Sequence, residues 1–145
     1  MRERYLGFCE TLATAGATHV FAKFPSELEK PGEQTKEKRF KAIKDALQAW
    51  EAEGITAIAC DSDLLALDLL DAHHAEHPDT PFHFSLTGFD GMNPQRVSTA
   101  RQRYMDIGNQ AMKLLHSQLY NGNFSDKDVR IEVDYLDGGT IRSAG

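Results

Sequence analysis

Cysteine, net positive charge, long apolar runs and glycine-rich motifs are all scarce in this chain, and each shortage excludes a class of protein. Only Cys9 and Cys60 occur among 145 residues, far apart and in apolar surroundings, with no CxxC pair and no Cys/His ligand cluster. That excludes a disulfide-stapled scaffold or a cysteine-based zinc module, and the pair reads as two buried, reduced thiols. The longest apolar runs, such as Ile58-Ala59-Cys60, fall far short of the ~20 residues that span a bilayer. The opening Met1-Arg2-Glu3-Arg4-Tyr5 mixes acid with base and lacks the apolar segment of a secretory signal, so the chain is expected to be cytoplasmic. With 16 Lys+Arg against 22 Asp+Glu the net charge is −6. This excludes a general electrostatic grip on nucleic acid or anionic lipid. Gly138-Gly139 alone makes neither a phosphate loop nor a dinucleotide fingerprint. No G-x-S-x-G elbow and no nucleophile–base pair is present, so no enzyme, metal or cofactor chemistry is expected. The sequon Asn123-Phe124-Ser125 has no meaning in a cytosolic chain.

What remains is one globular domain of ordinary size. Its apolar fraction of 41% is enough for a chain of this length to bury roughly two-thirds of its unfolded surface. Apolar periodicity alternates between helix and strand. Tyr5, Phe8, Cys9 and Leu12 share one face of a helix ending at Gly16. Residues 19–24 read as a short strand stopped by Pro25, and residues 26–38 as a loop containing Pro31-Gly32. Phe40, Ile43, Leu47 and Trp50 mark a second helix, closed by Gly54 at C′. The continuous apolar run 55–60 predicts a strand buried on both faces.

Asp61-Ser62-Asp63 supplies N-cap chemistry and first-turn negative charge for a third helix running to about His74, to which Asp63 is assigned as a dipole partner. Residues 82–87 form a further strand that Gly88-Phe89-Asp90-Gly91 breaks, and 98–100 are extended. Ile107, Ala111, Leu114 and Leu115 give a fourth helix ending near Asn121-Gly122, followed by a linker-like stretch over 121–128. Residues 131–136 alternate as the last strand. Strands separated by helices at this spacing predict an α/β fold, a mostly parallel sheet flanked by helices on both faces. Ligands in such folds sit at the carboxyl ends of the strands, which directs attention to Phe24, residues 61–63 and Phe89-Asp90.

His73-x-x-Glu76-His77 matches the pattern of inverted zinc proteases, with two histidines at i, i+4. It falls where a helix should fray before Pro78, with no third ligand following, and reads as a solvated helix end.

Taken in order, several pieces resemble the effector-binding core of the lactose/galactose-repressor (LacI/GalR) family of bacterial transcriptional regulators. They are Arg4-Tyr5-Leu6-Gly7-Phe8; Thr56-Ala57-Ile58 running into Ser62-Asp63-Leu64-Leu65-Ala66; residues 84–91, ending Gly88-Phe89-Asp90-Gly91; Ser98-Thr99 with Gln102; and Gly108 with Ala111. The resemblance covers nearly the whole chain. It implies the distal lobe of a type I periplasmic-binding-protein-like domain in residues 1–102. Residues 103–128 would then be a crossover piece of the DNA-proximal lobe, and 129–145 a return to the distal lobe. The DNA-binding domain that precedes this core in the family would be absent from this chain. The fourth helix would lack the lobe it normally packs in. Ser62 stands where the family commonly has Asn, Asp68 where it has glycine, and His83 where a polar or acidic residue is usual. These departures bear on the ligand rather than on the fold.

The resemblance places a guanidinium at Arg4 and a carboxylate at Asp90, both facing the ligand cleft. A carboxylate accepts from vicinal hydroxyls and a guanidinium fork donates to oxygens at fixed spacing, which suits a sugar-like effector. Phe24 would lie against the sugar ring, Ser62 would offer a hydroxyl at a helix N-terminus, and Gln102 would bond from the crossover strand. The same residues have plainer roles open to them: Asp90 in a turn, Arg4 on a solvated helix face, Phe24 in the core and Ser62 as an N-cap. The third helix carries Leu64, Leu65, Leu67, Leu69 and Leu70 around its circumference. A face left over from the sheet is expected to form a homodimer through residues 63–75 and 82–92, as the family likeness also implies. The functional expectation is therefore the sugar-sensing, dimerising portion of a bacterial repressor, touching DNA only through a missing domain. The alternative is one lobe of a solute-binding protein of a sugar transporter.

Overall fold

The computed structural model describes residues 2–17, 35–122 and 128–142. The element order is α1 (Arg2–Thr14), α2 (Lys36–Ala52), β1 (Ala57–Ala59), α3 (Asp63–Glu76), β2 (Ser85–Phe89), β3 (Ser98–Gln102), α4 (Tyr104–Asn121) and β4 (Val133–Leu136). The strands form one sheet in the order β1-β2-β3-β4. β1, β2 and β3 run parallel, with Ile58 opposite Leu86 and Gly88 opposite Thr99. β4 closes it antiparallel, with Gln102 opposite Val133. This is the α/β, mostly parallel architecture that the alternation predicts. The strand read at residues 19–24, and Phe24 with it, lies outside the described residues.

Helix boundaries follow local chemistry. Thr35 caps α2 by accepting from the Lys38 N–H, so the helix begins inside the stretch read as a loop to residue 38. Gly16, Gly54 and Gly122 end three helices with positive φ, which a residue lacking Cβ adopts without strain. α3 runs two residues further than expected, to Glu76, where the His77 N–H still donates to the His73 carbonyl. His73 itself is buried rather than solvated. Its ring packs edge-on against Phe82 and its Nε2 lies 3.0 Å from the Thr80 carbonyl. Among the described residues no three His, Cys, Asp or Glu side chains gather as metal ligands do.

The core lies between the sheet and two helix layers: α3 packs on β2, and α2 packs on α3. Ile43 and Leu47 of α2, Ala66, Leu69 and Leu70 of α3, and Phe84, Leu86 and Val97 are its main members. Apart from Ala66, each such side chain contributes about 1.5–3 kcal/mol on burial. The double contact explains why α3 is apolar nearly all round. Much of the face that the sheet leaves over is covered by α2, so Leu69 and Leu70 are core and Leu65 and Leu67 only partly exposed, whereas Leu64 is 59% exposed. Asp68 meets Arg39 of α2 as an ion pair.

Two strands differ from their expected form. β1 is three residues long and, among the described residues, pairs only with β2; Ala57 and Ala59 are exposed and Ile58 is half-buried, so the described elements do not cover it on both faces. β2 starts at Ser85 and runs through Gly88-Phe89, breaking only at Asp90. Phe82 and Phe84 precede the ladder and fill the core instead. Cys60 is buried, and desolvation, with the charges of Asp61 and Asp63 adding, pushes its thiol well above the ordinary range. Cys9 is only half-buried; a hydrogen bond with it raises the Tyr5 hydroxyl's pKa.

After β4 the chain turns back across the sheet. Gly138 passes so close to Val97 that a Cβ would lie 2.3 Å from its carbonyl carbon. The Thr140 carbonyl accepts from the Leu86 N–H and its hydroxyl donates to the Leu86 carbonyl. The same hydroxyl accepts from the Ser98 N–H at 2.8 Å. Arg142 adds its N–H to the Ser85 hydroxyl and its guanidinium to the Phe82 carbonyl. Residues 137–142 thus clasp the amino ends of β2 and β3. α4, by contrast, has no buried residue along its length.

Candidate functional site

The carboxyl ends of the parallel strands gather Arg4, Asp61, Ser62, Phe89, Asp90 and Gln102. Phe89 ends β2 on the face opposite Gly88, because successive side chains alternate across a strand. Arg4 of α1 lies over its ring, 3.9 Å from guanidinium carbon to ring centroid. One guanidinium nitrogen donates to the Asp61 carbonyl at 2.8 Å. Another stands 4.0 Å from Asp90 Oδ1. Gln102, which ends β3, donates from Nε2 to the same Asp90 oxygen at 3.2 Å. That nitrogen also lies 3.4 Å from the Tyr104 hydroxyl at the start of α4.

Asp90 sits at φ +115°, the one described residue with a side chain in that half of backbone space. Such a conformation costs about 1–3 kcal/mol and persists only where surrounding contacts fix it. They are present. The Asp90 N–H donates to the Ala100 carbonyl at 2.9 Å. The Gly91 N–H donates to the Thr99 hydroxyl at 3.2 Å and the Met92 N–H to Asp63 Oδ2 at 2.5 Å. The Thr99 hydroxyl in turn donates to Asp63 Oδ1 at 2.6 Å. Asp63 is fully buried and lies against Gly88, where a Cβ would come within 2.2 Å of Oδ1.

Of the residues singled out in the sequence, Arg4, Asp90 and Gln102 therefore meet. Ser62 stands beside Asp61 at the same edge, but its hydroxyl caps α3 by accepting from the Leu65 N–H. Phe24 lies outside the described residues. Tyr104 and Phe89 join the cluster without having been singled out as ligand contacts, and Asp63 proves far more than a dipole partner. Its signal was available only as a conjunction of Gly88, Thr99 and an Asp after an N-cap, three positions that the sheet register brings together. The assembled groups are a partly exposed carboxylate, a guanidinium and a primary amide beside an aromatic ring. Donors and acceptors at such fixed spacing can hydrogen-bond a polyhydroxylated ligand.

The fold and this edge define the class. The chain belongs to the periplasmic binding protein-like domain family, which it matches over residues 1–141. Within that class its likeness is to the effector-binding cores of LacI-type regulators. A helix-turn-helix-type transcriptional regulator of Mycolicibacterium smegmatis is 36% identical over 66 residues, covering 43% of this chain and 18% of the regulator. A LacI-family transcriptional regulator from Enterococcus faecium, solved with bound ribose, superposes with a TM-score of 0.64 at 17% identity, over 96% of this chain and 52% of its own. Another from Arthrobacter sp. FB24, in complex with lactose, gives 0.57 at 20% identity, over 81% and 48%. At those identities the likeness is one of fold. The chain spans about half the length of these solved relatives. Among the described residues no helix is long and apolar enough to cross a membrane.

Proposed function

We propose that this chain is the sugar-sensing portion of a transcriptional repressor, binding a sugar-like effector through Arg4, Asp90 and Gln102. Ser62 would contribute from the same edge, and Phe24 against the ring. The observation that carries the reading is Asp90, held at φ +115° with its carboxylate between the Gln102 amide and the Arg4 guanidinium. The relatives solved with ribose and lactose support a sugar as the ligand class. The regulator relative favours a transcriptional regulator over the lobe of a solute-binding protein, and a binding module over an enzyme. On this reading residues 1–102 and 129–145 belong to the distal lobe and 103–128 to the proximal one. The exposed α4 is consistent with a helix whose lobe is incomplete here. DNA would be contacted through a domain outside this chain, in the cytoplasm.

The same reading includes a homodimer through residues 63–75 and 82–92. Leu64 and Met92 are 59% and 61% exposed, and the Met92 N–H donates to the side chain of Asp63, the residue before Leu64. Calorimetry with ribose and with lactose tests the site. In a protein carrying both lobes, Asp90→Ala is expected to weaken binding of the recognised sugar at least about tenfold, since a hydrogen bond to a charged group contributes about 1.5–3 kcal/mol. This chain by itself is expected to bind poorly, because much of the cleft wall lies outside it. Unchanged affinity removes Asp90 from the site.

A further inference from the structure

We propose that Asp63 is the positioning residue for Asp90: a buried carboxylate that ties the first turn of α3 to the turn after β2 and fixes where the Asp90 carboxylate points. The inference rests on reading Asp90 as a ligand-binding group. An acidic residue in the first turn of a helix ordinarily stays in water, where it complements the dipole at little cost. Asp63 is instead fully buried, a position that a carboxylate holds only when its oxygens are satisfied locally. They are satisfied by the Thr99 hydroxyl and the Met92 N–H.

The consequence falls on three consecutive N–H groups. That of Asp90 is held by the Ala100 carbonyl, that of Gly91 by Thr99, and that of Met92 by Asp63. Two of these three anchors run through Asp63. One is direct. In the other, the Thr99 hydroxyl gives its hydrogen to Asp63 and so turns its lone pairs toward Gly91. Without Asp63 the hydroxyl is free to rotate and the Met92 N–H loses its acceptor. Asp90 then has little to keep it at positive φ. Because φ sets the direction of the Cα–Cβ bond, a return to negative φ swings the carboxylate away from Gln102 and Arg4. Gly88 belongs to the same device, since only a residue without Cβ leaves room for the Asp63 carboxylate against β2.

Nuclear magnetic resonance on the 145-residue chain tests the device without a ligand. In Asp63→Ala and in Thr99→Val, the HN–Hα coupling of Asp90 is expected to move to the negative-φ range. The Gly91 and Met92 amides should lose protection from exchange about tenfold or more, while the Leu86 amide, bonded to Thr140, stays protected. Thr99→Ser keeps the hydroxyl and should restore both signals. If Asp63→Ala fails to fold, the Thr99→Val and Thr99→Ser pair makes the same decision. An Asp90 coupling and amide protection unchanged in both Asp63→Ala and Thr99→Val overturn the inference.

Titration with ribose and with lactose, in a protein carrying both lobes, then separates it from the reading of the site. Asp63→Ala is expected to weaken binding about tenfold alone and to add nothing in an Asp90→Ala background, because a residue acting through Asp90 cannot be lost twice. Additive losses overturn the positioning role. Indifference of binding to Asp90→Ala overturns the site reading, and leaves the conformational result to be judged by the coupling and exchange data.

Discussion

Gly88→Ala places a methyl group where the structure has none to spare. The new Cβ would lie 2.2 Å from Asp63 Oδ1, 3.2 Å from its Cγ and 3.1 Å from its Cα. The nearest atom is not the loose end of a surface side chain. It accepts the Thr99 hydroxyl at 2.6 Å, while its companion oxygen accepts the Met92 N–H at 2.5 Å. To reach an ordinary contact the carboxylate must retreat by more than 1 Å, which breaks at least one of these bonds. Each hydrogen bond to a charged acceptor contributes about 1.5–3 kcal/mol, and forcing an extra methyl into a packed interior costs about 1–3 kcal/mol more. The expected loss is therefore roughly 3–5 kcal/mol, a large part of the ~5–15 kcal/mol that holds a domain folded. At about 3–4 °C per kcal/mol for a chain of this size, Tm should fall by ~10–20 °C. Gly108→Ala is the control. It lies inside α4 with nothing within 4 Å of a Cβ, and should gain about 0.5–1 kcal/mol from helix propensity. Urea midpoints and thermal melts by circular dichroism measure both. A Gly88→Ala melt within ~3 °C of the parent would refute the claim that Asp63 is locked in place.

Two further outcomes are expected. Asp137 accepts from the Gly139 N–H and the Ser98 hydroxyl, and these bonds hold its carboxyl below the usual range. A carboxyl depressed in the folded state contributes stability above its unfolded value near ~4, lost as pH falls through that value toward the folded one. Asp137→Asn keeps the acceptor oxygen but cannot titrate, so its urea midpoint should fall less steeply below about pH 4; parallel acid limbs in the two proteins would discredit the assignment. For the dimer, Leu64→Glu with Met92→Glu should yield a folded monomer by sedimentation velocity, whereas Leu69→Glu should unfold the chain because Leu69 is fully buried. A dimer that survives the paired substitution has its interface elsewhere.

The four helices were legible because each carries both an apolar period and a punctuating residue. Gly16, Gly54 and Gly122 mark three ends, and Ser62 marks a start. The sheet was legible in its alternation but not in its exposure. The run 55–60 has the composition of a central strand, and nothing local reveals that only three of its residues join the ladder, pairing with β2 alone among the described strands. Phe82 and Phe84 drew the next strand's start too early, since a buried aromatic looks alike whether it stands in a ladder or beside one. Leucines around α3 suggested an open face because the second layer, α2, is invisible to a helical period. At the site, Asp90 was marked by its place at the carboxyl end of a strand, whereas Arg4 and Gln102 were singled out only by likeness. Nothing in a helical segment distinguishes an arginine that caps a strand edge from a solvated one. Asp63 was misjudged for the opposite reason: a familiar local role accounted for it before the sheet register was known.

The clasp formed by residues 137–142 has a consequence for the order in which the protein is made. Its bonds join Leu86 to Thr140, 54 positions apart, and Ser85 to Arg142, 57 apart. Ser98 waits for a partner 42 positions further on. A chain emerging from the ribosome amino end first exposes the facing edges of β2 and β3 long before the residues that complete them exist. During that interval the Leu86 carbonyl and the Ser98 N–H have only water, or each other's neighbours, to bond. Closure over such separations is slow because loop entropy must be overcome before the contacts form. The helical layer of α2 on α3 is more local and can assemble early, holding the sheet's face while its amino edge stays open. Emergence of residues 137–142 is therefore the event that closes the amino ends of β2 and β3, and a nascent chain stalled just after β4 would hold a nearly complete sheet without its closing stitch.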